Sequence, residues 1–255
     1  MLFAEKEANL INHFQMLETN EILILPESEE LENVVSSVLR SELWTKWIDN
    51  SAENITPDFY SDELALMMEV MRVDDHGFKK KGNIINPTYD KEHQIEKELR
   101  KTGILDMFPN VELHITANTE LPTEQDHNYK YYYQNFKRTV EKHIKHISQY
   151  KENHPKHKLI FFVFDESSAY LEDVSDIPRN ELIISGKPHM YMFDKAFVDV
   201  FRDADIDYFI WFAPYKHFEC INPHFELPKA CVYKIGAPLP AEYKYDANKI
   251  VSSEK

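Results

Sequence analysis

The sequence predicts an α/β fold, with a mixed central sheet flanked by helices on both faces. Two observations carry this. Lys158–Asp165 and Asp207–Ala213 are short, almost wholly apolar runs, the pattern of strands buried on both faces. Between and before them lie longer stretches with apolar residues at helical spacing, so strands alternate with helices.

The elements follow in order. Phe3, Leu10, Ile11, Phe14 and Leu17 predict a first helix, and Glu21–Pro26 a short strand. Ser28, followed by Glu29, Glu30 and Glu32, reads as an N-cap with an acidic first turn. The helix it opens carries Leu31, Val34, Val35, Val38, Leu39 and Leu43 and is expected to run on to Ile48. Asp58–Asp75 becomes strand-like, densest at Leu64–Val73, and a polar loop with Lys79, Lys80 and Lys81 follows. Tyr89–Lys101 predicts a helix closed by Gly103, and Val111–Thr116 a strand. Asp126 is expected to cap one long helix that ends at His154-Pro155. Pro188–Ala204 predicts a last helix and Cys231–Ile235 a last strand. Residues 1–240 read as one domain and 241–255 as a loose tail.

Composition narrows the function. Five glycines among 255 residues form no G-x-G-x-x-G or Walker loop, so those phosphate cradles are excluded. With 29 basic against 44 acidic residues the net charge is −15, which favours solubility and confines any nucleic-acid contact to a local basic strip or a metal-loaded site. The chain opens without the basic start and apolar run of a signal peptide, and its apolar runs are too short to span a bilayer. A cytoplasmic protein that does not enter the membrane is expected, with Cys220 and Cys231 reduced.

The sharpest chemical feature is a pair of carboxylates. In a strand over Leu64–Val73, Glu69 shares a face with Ala65, Met67, Met71 and Val73. A carboxylate in such surroundings has to be paired, metal-bound or protonated. Asp58 follows Pro57, and a hairpin between Asp58–Asp62 and Leu64–Val73 brings both acids to one end. Two converging carboxylates suit Mg²⁺, which takes oxygen ligands and keeps several waters.

Pro57-Asp58, a ten-residue gap and Glu69-Val70-Met71 resemble the PD-(D/E)XK nuclease superfamily. The resemblance implies a restriction-endonuclease-like core and a Mg²⁺-dependent phosphodiesterase acting on nucleic acid, or a relative that has lost the chemistry. It implies catalytic and metal-binding roles for Asp58 and Glu69, and a glutamate from the preceding helix, Glu32 or Glu42. Where that family has its lysine, this chain has Met71, which leaves Lys79, Lys80 or Lys81 to reach back from the loop.

Other groups compete. Asp74, in Asp74-Asp75-His76, and Asp165, at the carboxyl end of a buried strand, are further candidate metal ligands. Lys137, Arg138 and Lys145 lie away from the aromatic stripe of the long helix, either as a nucleic-acid strip or as a solvated face. Arg138 and His143 have the R-x4-H spacing that is similar to HEPN ribonucleases. Those domains are all-helical, however, and on one helix the two residues project roughly 140° apart. The histidines show no H-E-x-x-H spacing and no G-x-S-x-G elbow is present. A binding or protein-interaction module with structural carboxylates is the competing expectation.

Overall fold

Strand β7, Lys158–Asp165, is the spine of the molecule, buried from Leu159 onward because helices cover both its faces. In this computed structural model, residues 7–50, 56–80, 83–85, 87–103, 127–173, 186–216 and 227–253 are described. Two central strands flank β7 in parallel: β4, Leu66–Val73, and β10, Tyr208–Phe212. Beyond β10 lie β11, Ala230–Lys234, antiparallel to it, and β1, Ile22–Leu25, parallel to β11. Beyond β4 lie β3, Phe59–Ser61, and β2, Ile48–Asp49, both antiparallel additions. The result is one mixed seven-stranded sheet in the order β1-β11-β10-β7-β4-β3-β2.

Alternation along the strands builds two cores. On one face Met68, Val70, Ile160, Phe162, Phe164, Ile210 and Phe212 pack against helices α1, Glu7–Phe14, and α2, Glu29–Leu39. On the other, Met67, Met71, Phe161, Val163, Phe209 and Trp211 pack against the helices that follow β4. Burying one such side chain contributes roughly 1.5–3 kcal/mol. The layers are therefore helix, sheet, helix, as the strand–helix alternation predicts.

Ser28 caps α2 as expected, its Oγ accepting from the Leu31 amide. The helix does not continue to Ile48: Arg40 turns extended, and a separate turn, α3, covers Ser41–Trp44. This break lets Trp47 fold back, donating its indole N–H to the Ser37 carbonyl. Strands β5, Phe78–Lys80, and β6, Asn83–Ile85, form a two-stranded ribbon before α4, Pro87–Lys101. Gly103 adopts φ +71 just past α4, a left-handed position that favours glycine.

The long helix is also two. Asn128, rather than Asp126, caps α5, Tyr129–Ile144, with its side chain on the Tyr131 amide, and α6, Ile147–Asn153, follows a break at His146. Asp126 and the expected strand at Val111–Thr116 fall outside the described residues. The Pro188–Ala204 segment splits into a strand end, a 3-10 turn at Tyr191–Phe193 and α7, Lys195–Phe201, capped by Asp194.

The C-terminal segment departs from expectation. Strand β12, Ile250–Ser252, joins β8, Tyr170–Asp173, and β9, Gly186–Pro188, in a three-stranded antiparallel sheet. The chain is held there because Ile250 is buried in the core and the Tyr245 hydroxyl accepts from the Met190 amide. No helix among the described residues is long and apolar enough to cross a membrane.

Glu30, in the first turn of α2, fastens that helix to the sheet. It accepts from Lys158 Nζ at 2.7 Å and Tyr208 Oη at 2.5 Å, and pairs with Lys234. These bonds, led by that of Lys158, hold its carboxyl down from 4.5 to about 2. A depressed carboxylate stabilises the fold above its unfolded pKa and ceases to as pH falls through the folded one. Stability is therefore expected to decline between pH 4.5 and about 2. Urea unfolding across that range should show a shallower decline in Glu30→Gln, by a small amount because solvent screens the pair.

Candidate functional site

Register sets the two acids side by side. Phe59 pairs with Met68 in the β3–β4 hairpin, so Asp58 falls opposite Glu69. The backbone and carboxylates interlock: Val70 N–H donates to Asp58 Oδ2 at 2.8 Å, and Asp58 N–H donates to Glu69 Oε2 at 3.3 Å. Strand β3 begins at Phe59, so β4 from Val70 onward has no β3 partner, and the acids sit where that pairing ends.

Glu69 is 4% exposed and does not stand alone. Its Oε1 lies 2.9 Å from His143 Nδ1 and accepts from the Tyr150 hydroxyl at 3.0 Å. Helix α5 brings His143 and α6 brings Tyr150, so the two packed helices and the hairpin meet at one carboxylate. Burial, and then the Glu69 charge, hold the Tyr150 phenol well above its ordinary pKa, which keeps it a donor.

Asp58, Glu69, Arg72, Thr139 and His143 line a cavity of about 360 Å³. The next groove along α5, about 440 Å³, is lined by Lys137, Arg138, Lys142, Lys145 and His146. The basic residues expected to form a strip therefore do line one groove, on the helix that also supplies His143. Two of them have neighbours within the helix, Lys137 near Glu141 at 3.8 Å and Arg138 donating to Asn135 at 3.1 Å.

The remaining candidates go elsewhere. Asp165 lies four residues along the β4–β7 register from Phe161, the partner of Glu69, roughly 13 Å away at about 3.3 Å per residue. It is fully buried and accepts from Tyr132 Oη at 2.5 Å, Trp211 Nε1 at 2.8 Å, and Ser167 N and Oγ at 2.9 and 2.6 Å. Lys216 Nζ stands 3.4 Å from it, within a cage of Tyr132, Tyr170 and Tyr191 rings. Asp165 thus anchors a buried polar network and is not brought to the acid pair. Asp74 is held by Asn135 Nδ2 at 2.8 Å, and neighbouring Asp75 by Tyr170 Oη at 2.6 Å and Ser168.

Met71 is buried in the core, and Arg72 forms a two-pronged ion pair with Glu166, at 3.1 Å from Nε and 2.6 Å from one terminal nitrogen. The Lys79 and Lys80 side chains and all of Lys81 lie outside what is described. Glu32 and Glu42 are not among the residues lining the acid cavity.

His143, which the R-x4-H spacing offers only as a partner of Arg138, and Tyr150 are the further site residues that the structure adds beside Glu69. The signal was present, since His143 stands seven positions after Phe136, on the stripe that buries Tyr129, Tyr132, Phe136 and Val140. A second group with metal-ligating chemistry, Asp62, His154 and His157, has donor atoms all within 4.8 Å of one another.

Comparison with protein-family models, with curated proteins and with solved structures gave no match to this chain.

Proposed function

We propose that the Asp58–Glu69 cavity is the active site of a divalent-metal-dependent phosphodiesterase of the PD-(D/E)XK kind, acting on nucleic acid. The observation that carries this is the convergence of two carboxylates and an imidazole in one cavity beside a groove lined with lysine and arginine. The order helix, antiparallel hairpin, helix and parallel strand, running from α2 through β3, β4 and α5 to β7, supports it further.

The donor set fits a hard or borderline divalent ion: Asp58 and Glu69 would hold Mg²⁺ or Mn²⁺. Bound there, the ion would activate water and offset charge on the scissile phosphate. The chain's own residues prepare the place. Tyr150 and His143 fix one Glu69 oxygen, and the Val70 amide fixes Asp58, so both carboxylates are oriented before any ligand arrives. The basic face of α5 would draw the nucleic-acid backbone past them and make binding weaken as salt rises. With methionine at position 71, orientation of the attacking water would fall to another group, and His143, 2.9 Å from Glu69, stands in the cavity to do it.

A second reading is favoured by those same hydrogen bonds. Carboxylates already bonded to an amide, an imidazole and a phenol are sufficient as a structural clasp, in which case the protein is an interaction module. Calorimetric titration with Mn²⁺ and Mg²⁺, paired with cleavage of single- and double-stranded DNA and RNA, separates the two. Wild type is expected to bind and to cleave, and Glu69→Gln to do neither while remaining folded. His143→Ala is expected to weaken metal affinity roughly 10–100-fold. A wild-type chain that binds neither ion and cleaves no substrate leaves only the interaction module.

A further inference from the structure

The turn of the β3–β4 hairpin and the loop entering β7 meet at the far end of β3 from Asp58. Lys158 N–H donates to the Ala65 carbonyl at 2.9 Å, and Leu66 pairs with Lys158, so the hairpin turn is fastened against the loop. His154 caps α6, and the His157 amide donates back to its carbonyl at 3.1 Å, closing a turn over His154-Pro155-Lys156-His157. This turn sets two imidazoles three residues apart against Asp62 of the hairpin.

We propose that Asp62, His154 and His157 bind a zinc ion that clamps the hairpin to the entry of β7. Three observations bear on it. The donor atoms of all three lie within 4.8 Å of one another, and His157 Nε2 is 3.1 Å from Asp62 Oδ1. A tetrahedral ion at about 2.0–2.1 Å from each ligand needs donors roughly 3.3 Å apart, so small side-chain rotations close the set. The His157 side chain is 10% exposed, yet neither of its ring nitrogens makes a hydrogen bond, its approach to Asp62 being misaligned for one. A buried imidazole without a hydrogen bond is costly, and a metal ion gives one of its nitrogens a partner.

The other two ligands suit the same ion. The His154 ring lies 4.2 Å from the Tyr60 ring, which orients it. Asp62, with its side chain 76% exposed, has open space in which to turn toward an arriving ion, and three protein ligands leave a fourth position for water. Two imidazoles and one carboxylate form a set that suits zinc better than magnesium. The site is separate from the Asp58–Glu69 pair and does not depend on the function proposed for it.

The test uses the full chain, stripped with a chelator and titrated with Zn²⁺ against a chromophoric competitor. Wild type and Glu69→Gln are expected to take up one zinc each, and zinc is expected to raise their melting temperatures. His154→Ala and His157→Ala should lose affinity by more than the roughly 10–100-fold that loss of an outer-shell partner costs. Should either histidine variant melt early without metal, Asp62→Asn, at an exposed position, gives the same comparison in a folded chain. Co²⁺ bound to wild type should show the intense visible absorption of a four-coordinate site, lost in the variants. Failure of wild type to bind zinc, or unchanged affinity in the histidine variants and Asp62→Asn, overturns the proposal. So does zinc lost only in Glu69→Gln, which would place the ion at the other site.

Discussion

Asp165→Ala is expected to cost about 3–5 kcal/mol of folding free energy, the penalty for breaking a buried ionic network by removing one partner. The carboxylate is fully buried and gathers Tyr132, Trp211 and Ser167 as donors, with Lys216 beside it. Truncation leaves each of those donors without its acceptor in a dry interior. Lys216 is the worst placed, since burial already lowers its pKa and Asp165 is the main charge opposing that shift. Urea unfolding should show the midpoint fall sharply with little change in slope. Replacing both partners, as Asp165→Asn with Lys216→Met, should recover much of the loss, because the buried ammonium is then removed together with the carboxylate beside it. A loss under about 1 kcal/mol in Asp165→Ala would mean that water reaches the network.

Trp211→Ala is expected to cost a similar amount, about 3–5 kcal/mol, for a different reason. Its ring is fully buried in the middle of β10, stacked on Phe136 at 4.6 Å and edge-on to Tyr191 at 5.0 Å. Removal leaves a cavity between sheet and helix that strands on both sides keep from collapsing. Trp211→Phe isolates the remaining term, since it keeps a ring while deleting the N–H that reaches Asp165 at 2.8 Å. That variant should lose roughly 1–3 kcal/mol. Because the two residues share a hydrogen bond, the double variant Asp165→Ala/Trp211→Ala should lose less than the sum, and a coupling of about 0.5–3 kcal/mol would measure the bond.

Strands β4, β7 and β10 were readable because burial on both faces leaves an unbroken apolar run, which few other elements imitate. Ser28 was readable for a local reason, a hydroxyl three residues before the amide it caps. The hairpin and the opposition of Asp58 to Glu69 followed from a two-residue period and one turn. What escaped were features decided by tertiary contacts. The kink at Arg40 exists to dock Trp47, and the strand at Ile250–Ser252 exists because β8 offers a partner 80 residues upstream. The role of His143 escaped because a titratable side chain on an apolar stripe has no evident purpose until its acceptor is known. The Asp62, His154 and His157 group joins residues some 92 positions apart, which no local spacing announces.

Beyond Glu69, strand β4 continues past the end of its pairing with β3. Such a margin invites a strand from another molecule, and proteins commonly block it with charge. Asp58 does this in an unusual way: its carboxylate takes the Val70 N–H that an incoming strand would claim first. The same aspartate would thereby guard this margin whether or not the cavity beside it carries any chemistry.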